Sequence, residues 1–117
     1  MTLLPNCTTV FIATGSTDMR KSINSLSLLV ADQLELDPLS GHLFAFCNRR
    51  RDIVKILYWD RNGFCLWHKR LEKDRFQWPE TSEDVLAINP AKLIWLLDGC
   101  TLDRWQGHQN LHYSELV

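Results

Sequence analysis

The sequence predicts an α+β fold: a small antiparallel β-sheet of four to five strands, packed with one long helix in the N-terminal half and one short C-terminal helix. Three observations predict it. Short β-branched and aromatic runs recur between turn residues. One stretch beginning at Met19 carries apolar residues at helical spacing. An Asn-Pro pair near the C-terminus opens a second helical pattern.

Taken in order, Thr8 to Ala13 is rich in β-branched and aromatic residues and reads as a strand that stops at Gly15. Ser16 or Thr17 is positioned as an N-cap, with Asp18 near the positive end of a helix. From Met19 onward, Ile23, Leu26, Leu29, Val30 and Leu34 share a helical face, predicting about four turns. Leu36 to Gly41 is a turn by its Pro and Gly. Leu43–Cys47, Ile53–Trp59 and Phe64–Leu71 read as three strands, the first two joined by the arginine-rich turn Asn48–Asp52. Asp60 to Gly63 carries an Asn-Gly pair, which favours a tight hairpin because both residues accept positive φ. With Asn62-Gly63 as the turn centre, Trp59 faces Leu66, Leu57 faces His68, and Lys55 faces Arg70. Tyr58 then pairs with Trp67, and Ile56 with Lys69, on the other side. Phe76-Gln77-Trp78 reads as a further short strand ended by Pro79. Glu80–Asp84 is an acidic linker and Val85–Ile88 a short strand. Asn89 caps a helix from Ala91 to Asp98, Pro90 starts it, and Gly99 ends it. Residues 1–99 form a single domain on this reading, and 100–117 a partly ordered polar and aromatic tail.

The chain has 117 residues, 45% of them hydrophobic, with five Trp and five Phe. That is enough for a core without disulfides or metals and argues against disorder. No apolar run is long enough to span a bilayer, and no secretory signal opens the chain, so the expected location is cytoplasmic. Cys7, Cys47, Cys65 and Cys100 are scattered without a CxxC pair, which favours reduced, buried thiols over disulfides or a composite zinc site.

The net charge is −1, yet nine of the thirteen basic residues fall within 49–75 beside four acidic ones, so that segment is +5 and the remainder −6. Fields act locally because salt screens charge beyond about 8–10 Å. The candidate partner-binding residues are therefore Arg49, Arg50, Arg51, Lys55, Arg61, Lys69, Arg70, Lys73 and Arg75, for phosphates, with Trp59 and Trp67 for stacking on bases. The competing structural role for these residues is a solvated charged face over tryptophans that fill the core. Other constellations are weaker. Thr17 to Lys21 follows a glycine but matches no phosphate-binding loop. His108 and His112 are four apart but lack a HExxH pattern. Asp18, Asp60 and Glu72 define no catalytic spacing. No catalytic residue, metal or cofactor is expected.

Several motifs, in one order, resemble a known family. Thr17-Asp18-Met19-Arg20-Lys21, Ser40-Gly41-His42-Leu43-Phe44, Lys55-Ile56-Leu57-Tyr58-Trp59-Asp60, Gly63, Cys65-Leu66-Trp67, Lys69-Arg70-Leu71-Glu72 and Phe76-Gln77-Trp78-Pro79 are similar to the TnpB-type accessory proteins. These are encoded by the second open reading frame of IS66-family bacterial insertion sequences, and are distinct from the RNA-guided nuclease of the same name. The resemblance runs from Val10 to Gly99. It implies a non-catalytic accessory protein of transposition, with the transposase and the other accessory protein of the element as partners, and the basic hairpins add element DNA as an expected partner. The alternative is a protein-interaction module that docks an acidic partner surface without touching DNA. Two positions depart from the family pattern: Ser22, where a glycine usually follows TDMRK, and Asp74, where RLE is usually followed by a residue and a glycine.

Overall fold

The computed structural model describes residues 8–100. Seven elements follow in order: β1 (Val10–Ala13), α1 (Ile23–Asp32), β2 (Leu43–Cys47), β3 (Ile53–Asp60), β4 (Gly63–Arg70), β5 (Val85–Ile88) and α2 (Pro90–Leu97). The strands form one sheet in the order β4-β3-β2-β1-β5.

The sheet is mixed, which corrects the antiparallel expectation. β1 pairs with β2 in parallel, from Val10↔Leu43 to Ile12↔Ala45, while the other three pairings are antiparallel. The connection explains this. A hairpin needs only a few residues, whereas the segment between β1 and β2 contains a whole helix, enough for a parallel crossover. β2 is therefore central and covered on both faces, so all five of its residues are buried. A strand buried on both sides is apolar throughout and shows no alternation.

Each face has its own core. On one, Leu26 and Val30 of α1 pack with Ala13, Phe44, Phe46 and Leu57. On the other, Leu93, Trp95, Leu96 and Leu97 of α2, joined by Phe76 and Trp78, pack with Val10, Ile12, Ala45, Val54 and Ile56.

The first helix is shorter than its apolar spacing suggests, with ten residues starting at Ile23. Upstream, the Asp18 carboxylate accepts from the Arg20 amide at 2.9 Å, and the Lys21 amide donates to the Asp18 carbonyl at 3.2 Å. This local turn competes with helix. The carbonyls of Met19 and Lys21 instead accept from Lys55 Nζ, at 2.8 and 3.2 Å. Ser22, not Ser16 or Thr17, is the N-cap residue, and its side chain makes no capping bond. At the other end Glu35 turns left-handed, with φ 55°, so Leu34 packs into the core from outside the helix. In α2, by contrast, the Asn89 side chain accepts from the Lys92 amide at 2.8 Å, with Pro90 in the first helical position.

The β3–β4 turn is centred on Arg61-Asn62, so Trp59 faces Phe64, Leu57 faces Leu66, Ile56 faces Trp67 and Lys55 faces His68. This corrects the expected pairing by two residues. Arg61, not Gly63, takes the positive φ, at 50°. Because side chains alternate with period two, a shift of two leaves every residue on its expected face. Phe76–Trp78 is also not a strand. Its buried-exposed-buried pattern comes from lying across one face of the sheet, where Phe76 and Trp78 enter the core and the Trp78 indole donates to the Ala13 carbonyl at 2.9 Å. No helix among the described residues is long and apolar enough to cross a membrane. The expected tail lies, apart from Cys100, outside the described residues. So do Cys7, His108 and His112.

Candidate functional site

The β2–β3 connection is organised by Asn48. Its side-chain oxygen accepts from the amides of Asp52 and Ile53, each at 3.0 Å, and its side-chain nitrogen donates to Asp52 Oδ1 at 2.7 Å. The Arg51 amide donates to the Asn48 carbonyl at 3.2 Å, closing a β-turn with Arg49 and Arg50 as its central residues. Central turn residues project away from the sheet, and both arginines are exposed. Asn at the first turn position is a known turn-former. Sequence reasoning nevertheless passed over Asn48, because the three arginines beside it drew attention to charge.

Arg51 does a different job from its neighbours. At φ 65° it occupies the left-handed region. Its guanidinium turns inward to the Gly15 carbonyl at 2.7 Å and to Glu80 at 2.6 Å, leaving the side chain 17% exposed. It thus ties the end of β1 and the 79–84 segment to the turn.

The segment after β4 wraps around the same end of the sheet. The Leu71 amide donates to the Asp52 carbonyl at 2.8 Å, and the Phe76 amide to the Arg51 carbonyl at 2.7 Å. Arg75 Nε donates to the Arg50 carbonyl at 2.8 Å, so the Arg75 side chain lies against the turn that carries Arg49 and Arg50. Between the two, Asp74 takes the left-handed conformation, φ 64°, that a glycine would adopt without cost. Lys69, Lys73 and Arg75 line one open groove with Leu97, Asp98 and Gly99. There Lys69 Nζ approaches the Leu97 carbonyl at 3.5 Å and offsets the negative end of α2. Arg70 is exposed and paired with Glu72 at 3.0 Å.

Arg49, Arg50, Lys73 and Arg75 therefore meet at one pole of the sheet, flanked by Lys69 and Arg70. None of the first four closes an ion pair among the described residues. The Asp52 carboxyl beneath them titrates below its ordinary value, chiefly through its bond from Asn48, with Arg50 and Arg75 adding to the effect.

The remaining sequence candidates lie elsewhere. Lys55 points toward α1, its ammonium held by two carbonyls. Trp67 packs half-buried against the α2-side core. Trp59 and Arg61 belong to the opposite end of the hairpin, about 25 Å away along an eight-residue strand. Trp59 is half-buried, edge-on to Phe64 at 5.1 Å, and Arg61 is 92% exposed beside Asp60. Cys47, Cys65 and Cys100 are free thiols, and burial pushes Cys47 up to about 11. Among the described residues no three His, Cys, Asp or Glu side chains converge as a metal site would require.

Fold and surface together define a small mixed-sheet α+β domain with one cationic end. The chain belongs to the IS66 Orf2-like protein family, which it matches over residues 8–107, and is thereby a transposition-associated accessory protein. It is similar to two proteins of Sinorhizobium fredii. "Uncharacterized protein y4hO" is 47% identical over 90 residues, 77% of this chain and 78% of that protein. "Uncharacterized protein y4jC" is 33% identical over 90 residues, 77% of each. No solved structure matches the chain.

Proposed function

We propose that this accessory protein acts in transposition by holding the phosphate backbone of element DNA, alone or within a DNA–transposase complex, through the pole formed by Arg49, Arg50, Lys73 and Arg75. The observation that carries the reading is the Asn48 turn. It projects two adjacent arginines that close no ion pair among the described residues, and Arg75 is bonded to the same turn. Guanidinium groups suit phosphate because they present paired donors in a planar fork. No catalytic step is assigned to the chain.

Fluorescence anisotropy of an element-end duplex across a salt series tests this. Four phosphate contacts predict a log-log slope of about −3.6. The double variant Arg49→Gln/Arg50→Gln should lose about half of that slope, equally for element and scrambled duplexes, since phosphate contacts carry no sequence information. Absence of binding at low salt refutes direct DNA contact.

A second reading, docking to a protein without DNA, is supported by the far end of the hairpin. Trp59, Phe64 and Arg61 lie together there, and Trp and Arg are the usual anchors of interfaces. Capture of the transposase from nuclease-treated lysate, lost on Trp59→Ala, would favour it over the first.

A further inference from the structure

The two edges of the sheet differ in a way that bears on assembly. β5 is four residues long and runs straight into Asn89-Pro90, so it offers little to pair with. β4 is eight residues long, contains no proline, and pairs with β3 without a bulge from Ile53↔Arg70 to Asp60↔Gly63. Sheets that must stay apart shorten, bulge or cover their edge strands, or break them with proline. β4 shows none of these four among the described residues, and its edge charges, Lys69 and Arg70, are confined to one end of the strand.

The direction of its free backbone groups follows from the ladder. The Leu71 amide bonds to the Asp52 carbonyl, one pair beyond Ile53↔Arg70. Hydrogen-bonded pairs alternate in antiparallel sheets. Gly63, Cys65, Trp67 and Lys69 therefore turn their amides and carbonyls toward β3, while Phe64, Leu66, His68 and Arg70 turn theirs outward. The four consecutive apolar residues Phe64, Cys65, Leu66 and Trp67 all remain half-buried along this edge.

We infer that the chain forms a two-fold dimer by antiparallel pairing of β4 with β4 of a second copy, in the register that sets Trp67 against Trp67. A two-fold axis normal to the sheet keeps each face continuous, so facing residues must share a face. In this register Leu66 faces His68, Phe64 faces Arg70 and Cys65 faces Lys69. Every basic residue of the strand meets an uncharged one. Moving the centre of the pairing two residues toward the basic end sets Lys69 against Lys69, where like charges repel. The Trp67 pair falls at a non-hydrogen-bonded position, where facing side chains come closest, and aromatic pairs are among the most favourable across strands. A second copy fits because the strand is complementary to itself. The dimer would carry its two basic poles on either side of the central seam of a continuous ten-stranded sheet, one beyond each end of the paired strands.

Sedimentation velocity of the purified full chain, without DNA, tests this. The expected species has twice the 13.7 kDa of the chain. His68→Pro removes an outward amide that β3 does not use, so the variant should keep its circular dichroism and sediment as a monomer. Lys69→Cys should form a covalent dimer with the native Cys65 of a second copy on mild oxidation, while the parent chain and the Cys65→Ser/Lys69→Cys variant do not. A monomeric parent chain overturns the inference, as does a dimer that persists in folded His68→Pro. Should His68→Pro fail to fold, absence of the cross-link between Cys65 and the thiol introduced by Lys69→Cys overturns it equally.

Discussion

Arg49, Arg50 and Arg51 are chemically identical and adjacent, and what separates them is backbone conformation. A left-handed residue at the end of a turn sends its side chain back over the molecule, so Arg51 reaches Gly15 and Glu80 while its neighbours face solvent. Glu80 is 73% exposed, so the carbonyl bond and the packing of the half-buried stem carry most of the effect. Arg51→Ala should cost about 2 kcal/mol in urea unfolding, and Arg49→Ala or Arg50→Ala less than about 0.5 kcal/mol. Asp74→Gly should stabilise by up to about 1 kcal/mol, because it removes a side chain from a left-handed position, and should tighten DNA binding by adding one net positive charge to the pole. Asp18 offers a check on pH. Its bonds from Arg20 hold the carboxyl down at about 2, so what it contributes to stability is present above the ordinary carboxylate range and is lost as pH falls toward 2. The NMR titration midpoint of Asp18 should rise on Arg20→Gln. As both groups lie in solvent, the shift should shrink in high salt.

At the scale of elements, the two helices were unequally legible. Asn89-Pro90 announces α2 because cap and first turn are local chemistry, and the observed bond from Lys92 follows. Asn89→Ala should cost about 1 kcal/mol, whereas Ser22→Ala, at a helix start whose side chain makes no capping bond, should be nearly neutral in the same denaturation assay. The start of α1 could not be read locally. Apolar spacing from Met19 describes residues that all face one core, yet the carbonyls of Met19 and Lys21 are taken by a lysine on β3. Phe76–Trp78 misled for a related reason. Alternating burial arises wherever an extended chain lies on a surface, and only backbone pairing distinguishes a strand. In the hairpin, faces were legible and partners were not, since period-two alternation survives a slip of two residues.

At the scale of the whole molecule, the roles proposed for charge and edge make separate predictions. DNA binding through the pole should weaken steeply with salt, whereas β4 pairing, made of backbone bonds and apolar side chains, should change little over the same range. A dimer also makes the thermal midpoint rise with protein concentration, which differential scanning calorimetry across a tenfold range would show. Membership of the family, the α+β class, the strand positions from Val10 to Ile88 and the segregation of charge were all present in the sequence, because they depend on order, composition and short-range pattern. The pole itself was only partly visible. Nine basic residues in one segment marked where charge accumulates, but not that Arg51 and Lys55 are turned to structural use or that Arg61 lies at the other end. Local pattern records which residues an element contains and which face each occupies. Tertiary structure alone decided that β1 and β2 run parallel, that the 71–76 segment wraps the Asn48 turn, and that Arg75 joins Arg49 and Arg50. The physical reason is that each of these rests on contacts between residues far apart in the chain, whose energies no single segment contains.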